Sequence, residues 1–213
     1  MLGVVAGTCT GFLVQADRAP DKLPSLAQQT LTQAKGPAPE PLSAAEDHSV
    51  KTDGDLRKLL LKRPSGAQDP ENTVGSDGWL DVAGYAELFT EPDEALGYQI
   101  REEFRRAAVT NWSQGTLDVA VTLVQYRQEV NLGASDAASD GYYYADDTAG
   151  THSWAIPGTG DGMAYVHGEE YDEYSAEAHA WRGDVAMEIW LYDIKPIPKK
   201  TIMDLAERQM ERL

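Results

Sequence analysis

The chain has 213 residues, 42% of them hydrophobic, and a formal net charge of -17 from 35 acidic and 18 basic side chains. That length carries a hydrophobic core without disulfides. The acidic balance argues against nucleic-acid binding, which rests on Lys and Arg neutralising phosphates, and the lone cysteine, Cys9, excludes an internal disulfide and a cysteine-based zinc cluster.

Residues 1–16 carry no charged side chain, and Leu2 to Val14 reads LGVVAGTCTGFLV. This run is shorter than the roughly 20 apolar residues of a spanning helix. It lacks the basic start of a secretory signal. Three readings stand: the later part of a signal anchor that begins upstream, a lipoprotein signal ending at Cys9, or a soluble segment. Ala6 and Thr8 fit a lipoprotein signal poorly, and the Gly3–Gly7–Gly11 spacing suits a membrane helix. The anchor is the favoured reading, so residues 1–15 are expected to be a partial transmembrane or signal-anchor segment that makes the membrane a partner. Residues 16–51 follow as a flexible tether, because Pro20, Pro24, Pro37, Pro39 and Pro41 forbid a continuous helix.

Residues 53–213 read as a single α+β domain. Asp55 caps a short expected helix with Leu56, Leu59 and Leu60 on one face. Residues 64–78 form a polar loop, and Trp79 opens a short segment with Tyr85 and Phe89. Pro92 starts a helix in which Leu96, Ile100 and Phe104 share a face, with Arg101, Glu102, Glu103, Arg105 and Arg106 mostly solvated. Ala107–Trp112 and Leu117–Arg127 predict two strands around Ser113–Gln114–Gly115.

Residues 128–177 contain eleven acidic side chains and no Lys or Arg. One short helix, long loops and a strand around Met163–His167 are expected there. Two longer strands, Glu173–Trp181 and Asp184–Tyr192, are joined by an Arg182–Gly183 turn. The chain closes with an amphipathic helix over Pro198–Leu213, its stripe being Ile202, Leu205, Ala206, Met210 and Leu213. Antiparallel strand pairs with helices before and after predict an antiparallel sheet flanked by helices.

Catalytic and metal signatures are missing from the sequence. His48, His152, His167 and His179 include no zinc-protease spacing, the acidic window has no EF-hand loop, and there is no nucleophile elbow. No motif calls for a cofactor. Tyr142, Tyr143 and Tyr144, placed in a loop with Trp154 not far along, are the candidate binding residues, since exposed aromatics in acidic loops form recognition surfaces.

Asp53–Leu61 (DGDLRKLLL), Gly78–Trp79, Glu103–Arg127, Trp181–Asp193 (WRGDVAMEIWLYD) and Leu205–Leu213 together resemble a group of membrane-anchored or secreted actinobacterial proteins. The resemblance covers most of residues 50–213 and consists of framework residues. It implies an extracytoplasmic domain of the PsbP-like fold, serving as a non-enzymatic binding or assembly module, and it carries over no catalytic residue. The expected function is such a module at the cell membrane, with an unknown protein or small molecule as partner. The alternative is an extracytoplasmic small-ligand sensor or carrier, with a pocket between the sheet and the Pro198–Leu213 helix. A hydrolase using carboxylates is the third class.

Overall fold

The computed structural model describes residues 50–70, 75, 77–146 and 150–213. The expected membrane segment, nearly all of the expected tether, and Cys9 lie outside the described residues. Among the described residues no helix is long and apolar enough to cross a membrane.

The fold is α+β: one seven-stranded sheet, antiparallel at every pairing, in the order β1-β2-β3-β7-β6-β5-β4. The strands are β1 (Trp79–Leu80), β2 (Phe104–Gln114), β3 (Leu117–Tyr126), β4 (His152–Ala155), β5 (Met163–Glu170), β6 (Glu173–Arg182) and β7 (Val185–Asp193). The helices are α1 (Val82–Ala86), α2 (Pro92–Arg101), α3 (Gly133–Asp146) and α4 (Lys199–Met210).

Both predicted hairpins form. In the second, Arg182 pairs with Val185, so the turn is Gly183–Asp184, one residue later than expected. Gly183 sits at φ 56°, and a Cβ there would lie 2.3 Å from the Val50 carbonyl oxygen, so only glycine fits. In the first hairpin β2 begins at Phe104, three residues before the expected Ala107. The chain leaves the helical region at Glu103, φ 61°, and this ends α2 at Arg101. Phe104 therefore belongs to the sheet and does not share a helix face with Ile100, which is 64% exposed.

Alternation along β6 and β7 divides the sheet into two faces. On one, Ala176, Ala178 and Ala180 stand beside Val185, Met187, Ile189 and Leu191, and α4 settles on them through Ile202, Met203, Ala206 and Met210. The alanines lack bulk, which brings the helix close to the strands. The apolar stripe predicted α4 correctly, but Leu205 and Leu213 are only half-buried, while Met203 and Gln209 are buried. The expected N-terminal helix shrinks to one 3-10 turn, Leu56–Lys58, capped by Asp55 as predicted. It is tied to α4 by Gln209, whose amide accepts from Leu61 N (2.9 Å) and donates to Leu59 O (2.9 Å), and by Arg212, whose Nε donates to Leu59 O (2.8 Å). The space between sheet and α4 is thus filled by side chains, where the sensor reading expected a pocket.

The opposite face carries Leu80, Tyr85, Ala107, Val109, Val124, Tyr126, Ala134 and Ala186 as a second apolar cluster. Helix α3 lies over this face, and its inward residues are small: Gly133, Ala134, Ala138 and Ala145 are buried. Of the window expected to be mostly loop, a 14-residue helix and β4 are therefore regular structure.

Asp184 fastens the start of the domain. Its carboxylate is 1% exposed and accepts from Thr52 N (2.8 Å) and from Gln125 Nε2 (2.7 Å). Gln125 Nε2 also donates to Thr52 O (2.6 Å), so residues 50–52 are held against the β6–β7 turn. Truncation leaves one of the two Gln125 amide hydrogens and the Thr52 N–H unpaired. Asp184→Ala is expected to lower the unfolding free energy by roughly 2–3 kcal/mol in urea titrations; a loss below about 0.5 kcal/mol contradicts the role given to this carboxylate.

Candidate functional site

The structure separates the four residues predicted from sequence. Tyr142, Tyr143 and Tyr144 lie in α3, not in a loop, and successive helical residues point about 100° apart. Tyr142 is half-buried, and burial, followed by the nearby Asp161 carboxylate, pushes its phenol above the ordinary tyrosine range. Tyr143 and Tyr144 are each 73% exposed, their rings edge to face with centroids 5.6 Å apart. Trp154 belongs to β4 and packs with the α4-side cluster, Lys199 Nζ sitting 4.7 Å from its ring. The tyrosines and Trp154 therefore serve opposite sides of the sheet and make no common surface.

Beneath α3 the sheet carries a chain of titratable groups that the sequence reading left as surface charge or packing. Glu177 stands between two imidazoles, with Oε1 2.8 Å from His167 Nε2 and Oε2 2.6 Å from His179 Nε2. All three residues are buried, and His167 Nδ1 is 2.7 Å from Thr151 Oγ1. Helix α3 crosses this group at Gly141, where a Cβ would lie 2.5 Å from His179 Cγ. His179 Nδ1 is buried with no partner among the described residues.

Burial pushes the Glu177 carboxyl up, but hydrogen bonds to His167 and His179 outweigh it and hold it below the usual glutamate range. Glu188, one strand over, has the opposite fate. Burial raises it, and the attraction of His179 and the Tyr85 hydroxyl hydrogen bond only partly compensate. Burial likewise pushes Tyr165, on the same face, up to about 12, with Asp146 and Glu177 adding to it. Opposed shifts can mark acid–base pairs, but His167, Glu177 and His179 are covered by protein. Among the described residues the array pairs polar side chains that the covering protein shields from solvent.

Among the described residues an open groove lies at the sheet edge, where α2 hands over to β2. The groove of about 750 Å³ is lined by Trp79, Leu80, Val82, Ile100 and Phe104, with Arg105, Arg106 and Arg127. Two strained backbone positions build it. Glu103 and Gln128 adopt φ 61° and 52°, which side-chain-bearing residues seldom take. They are clasped together: Arg127 N donates to Glu103 O (3.0 Å), and Glu103 Oε2 accepts from Glu129 N (2.7 Å) and Val130 N (3.1 Å). Those backbone bonds hold the Glu103 carboxyl below its usual range. The other lining carboxylate, Asp81, caps α1 by accepting from Gly84 N (2.7 Å).

Both acids are thus engaged with backbone, while among the described residues Arg105, Arg106 and Arg127 have no carboxylate within ion-pair distance. Arg106 Nε donates to Gln125 Oε1 (2.7 Å), its guanidinium lies 5.7 Å from the Trp79 ring, and its Nη2 is buried with no partner among the described residues. Sequence reading missed this site because its arginines looked like ordinary solvated charge. Three unanswered cations on so acidic a chain become visible only once β2 and β3 are paired.

Glu177, buried, and Glu188, half-buried, respond oppositely to neutralisation. Glu188 binds a proton more readily folded than unfolded, so its ionisation costs stability at neutral pH. Glu188→Gln keeps an acceptor for Tyr85 and is expected to raise the melting temperature at pH 7, the gain fading as pH falls and vanishing below the unfolded-state value near 4.5. Glu177, held low, contributes stability above about 4.5 that is lost as pH falls through its folded value. Glu177→Gln is therefore expected to lower the melting temperature at pH 7. Shifts of the same sign in the two variants, read by calorimetry from pH 4 to pH 8, contradict this assignment.

No protein-family model and no curated protein matches the chain. Among solved structures, the chain is similar to the extracellular domain of PknH from Mycobacterium tuberculosis, with a TM-score of 0.50 at 10% sequence identity, over 76% of this chain and 97% of that one. The likeness is one of fold.

Proposed function

We propose that residues 53–213 form a non-enzymatic, extracytoplasmic binding module of the PsbP-like type, held at the cell membrane by residues 1–15 through the proline-rich tether 16–51. The observation that carries this reading is the groove at the β1–β2 edge. It is an open, apolar-walled cleft in an acidic domain, with three guanidiniums that have no acid partner among the described residues. Its volume falls in the range of small-ligand sites. The titratable array, by contrast, is covered by protein, which supports binding over catalysis. The extracytoplasmic position draws on the apolar, charge-free first sixteen residues and on the likeness in fold to an extracellular domain.

Tyr143 and Tyr144, each 73% exposed on α3, support a contact with a protein partner as a second reading. The membrane position is tested by treating intact cells that express the full chain with a protease and following the domain by immunoblot. The expected result is loss of the domain without lysis. A domain that resists until the cells are broken contradicts the extracytoplasmic placement.

A further inference from the structure

We infer that the groove binds a small anionic amphiphile, a single apolar chain ending in a phosphate or carboxylate, and this rests on the reading of the groove as the recognition site. Two sets of observations converge. The walls supply the apolar half: Ile100 is 64% exposed at the rim, Val82 and Phe104 are half-buried, and Phe104 stacks on Tyr85 with centroids 5.9 Å apart, while half-buried Trp79, which packs with the α4-side cluster, bounds the groove from the other face of the sheet. An apolar side chain exposed to that extent beside a formed cleft is surface a ligand's hydrocarbon would cover.

The second set is the charge. Arg105, Arg106 and Arg127 face the groove against two carboxylates, Asp81 and Glu103, each already committed to backbone N–H groups. Among the described residues no carboxylate lies within ion-pair distance of the guanidiniums, Arg127 adding only a weaker attraction to Glu103, and Arg106 Nη2 is buried with no partner. A buried donor without an acceptor is costly, and an oxyanion is the group that removes the cost. The rest of the molecule sharpens the selection. At a net charge of -17 the protein's long-range field repels anions, so an anion is retained only where cations are focused and an apolar contact adds to them. Basic side chains of this kind are scarce here, with 18 in the chain against 35 acids, and three meet at one groove between segments distant in sequence.

The cation–π pair of Arg106 with Trp79, and of Arg57 with the same ring at 4.9 Å, gives the site a built-in restraint. Arg57 is held by Asp55 (2.9 Å) and so fixes the indole, while Arg106 Nη2 has no partner among the described residues.

The test is isothermal titration of the full chain at low ionic strength with octyl phosphate, octanoate, octanol and inorganic phosphate, all below micelle formation. The expected result is saturable one-to-one binding of octyl phosphate and octanoate. Octanol and inorganic phosphate are expected to bind at least about tenfold more weakly, since each lacks one half of the recognition. Arg106→Gln is expected to weaken octyl phosphate by about ten- to a hundredfold, the loss of a charge-assisted hydrogen bond. If that variant unfolds, the Arg105→Gln/Arg127→Gln double variant, both side chains being exposed, carries the test with a comparable loss. The inference is overturned if octanol or inorganic phosphate binds as tightly as octyl phosphate, if the double variant binds unchanged, or if no anionic amphiphile binds. A domain that proteases strip from intact cells but that binds none of these probes refutes the ligand class alone, whereas a protected domain refutes the extracytoplasmic placement whatever the titrations give.

Discussion

The middle stretches of strands β3, β7 and β6 are covered on both faces, and a buried polar side chain there has no solvent to turn to. From Val121 to Tyr126 every residue of β3 is buried, although the sequence alternates only in part. The polar groups there must answer one another. Glu177 accepts from two histidines, Glu188 takes the Tyr85 hydroxyl, Tyr126 donates to Gln99 (2.9 Å), and Gln125 meets Asp184. The His167–Glu177 pair joins β5 to β6, and the Tyr85 and Gln99 bonds join the sheet to α1 and α2. The requirement to satisfy buried polar atoms thus sets where α1, α2 and the start of the domain lie, more narrowly than apolar burial does.

The same economy explains the contrast between the two polar regions. On the covered face Glu177 and Glu188 have both found donors, and the result is a closed, rigid array. At the β1–β2 edge the carboxylates have found backbone partners and the guanidiniums have been left over. A left-handed Glu103 and a left-handed Gln128 are the cost of bringing Arg127 beside Arg105 and Arg106. Strain maintained at a concave, basic, apolar-walled place is the arrangement expected of a recognition site.

The sheet hairpins were legible because β6 and β7 alternate cleanly and Gly183 marks their turn. Helix α4 was legible from its stripe. Helix α3 was not, because its inward face is built from Gly133, Ala134, Ala138, Gly141 and Ala145, small residues that give no apolar period by size. Their spacing of four, three and four from Ala134 onward was the available signal, and the glycines and tyrosines beside it suggested a loop. The reach of α2 was overread for the converse reason: Leu96, Ile100 and Phe104 have helical spacing, but the backbone reverses at Glu103. The aromatic site failed as a unit because three consecutive tyrosines on a helix cannot face one way, and Trp154 is turned to the other side of the sheet. The groove was beyond sequence reading altogether, since it depends on which arginines lack an acid neighbour after folding.

The central claim is that recognition occurs at the β1–β2 edge and not on α3 or α4. Hydrogen–deuterium exchange of the full chain, with and without saturating octyl phosphate, tests it most directly. Slowed exchange is expected in residues 79–82, 100–106 and 127–130, with α3 and α4 unchanged. Protection centred on Tyr143 and Tyr144, or on the Lys199–Met210 helix, would contradict the account.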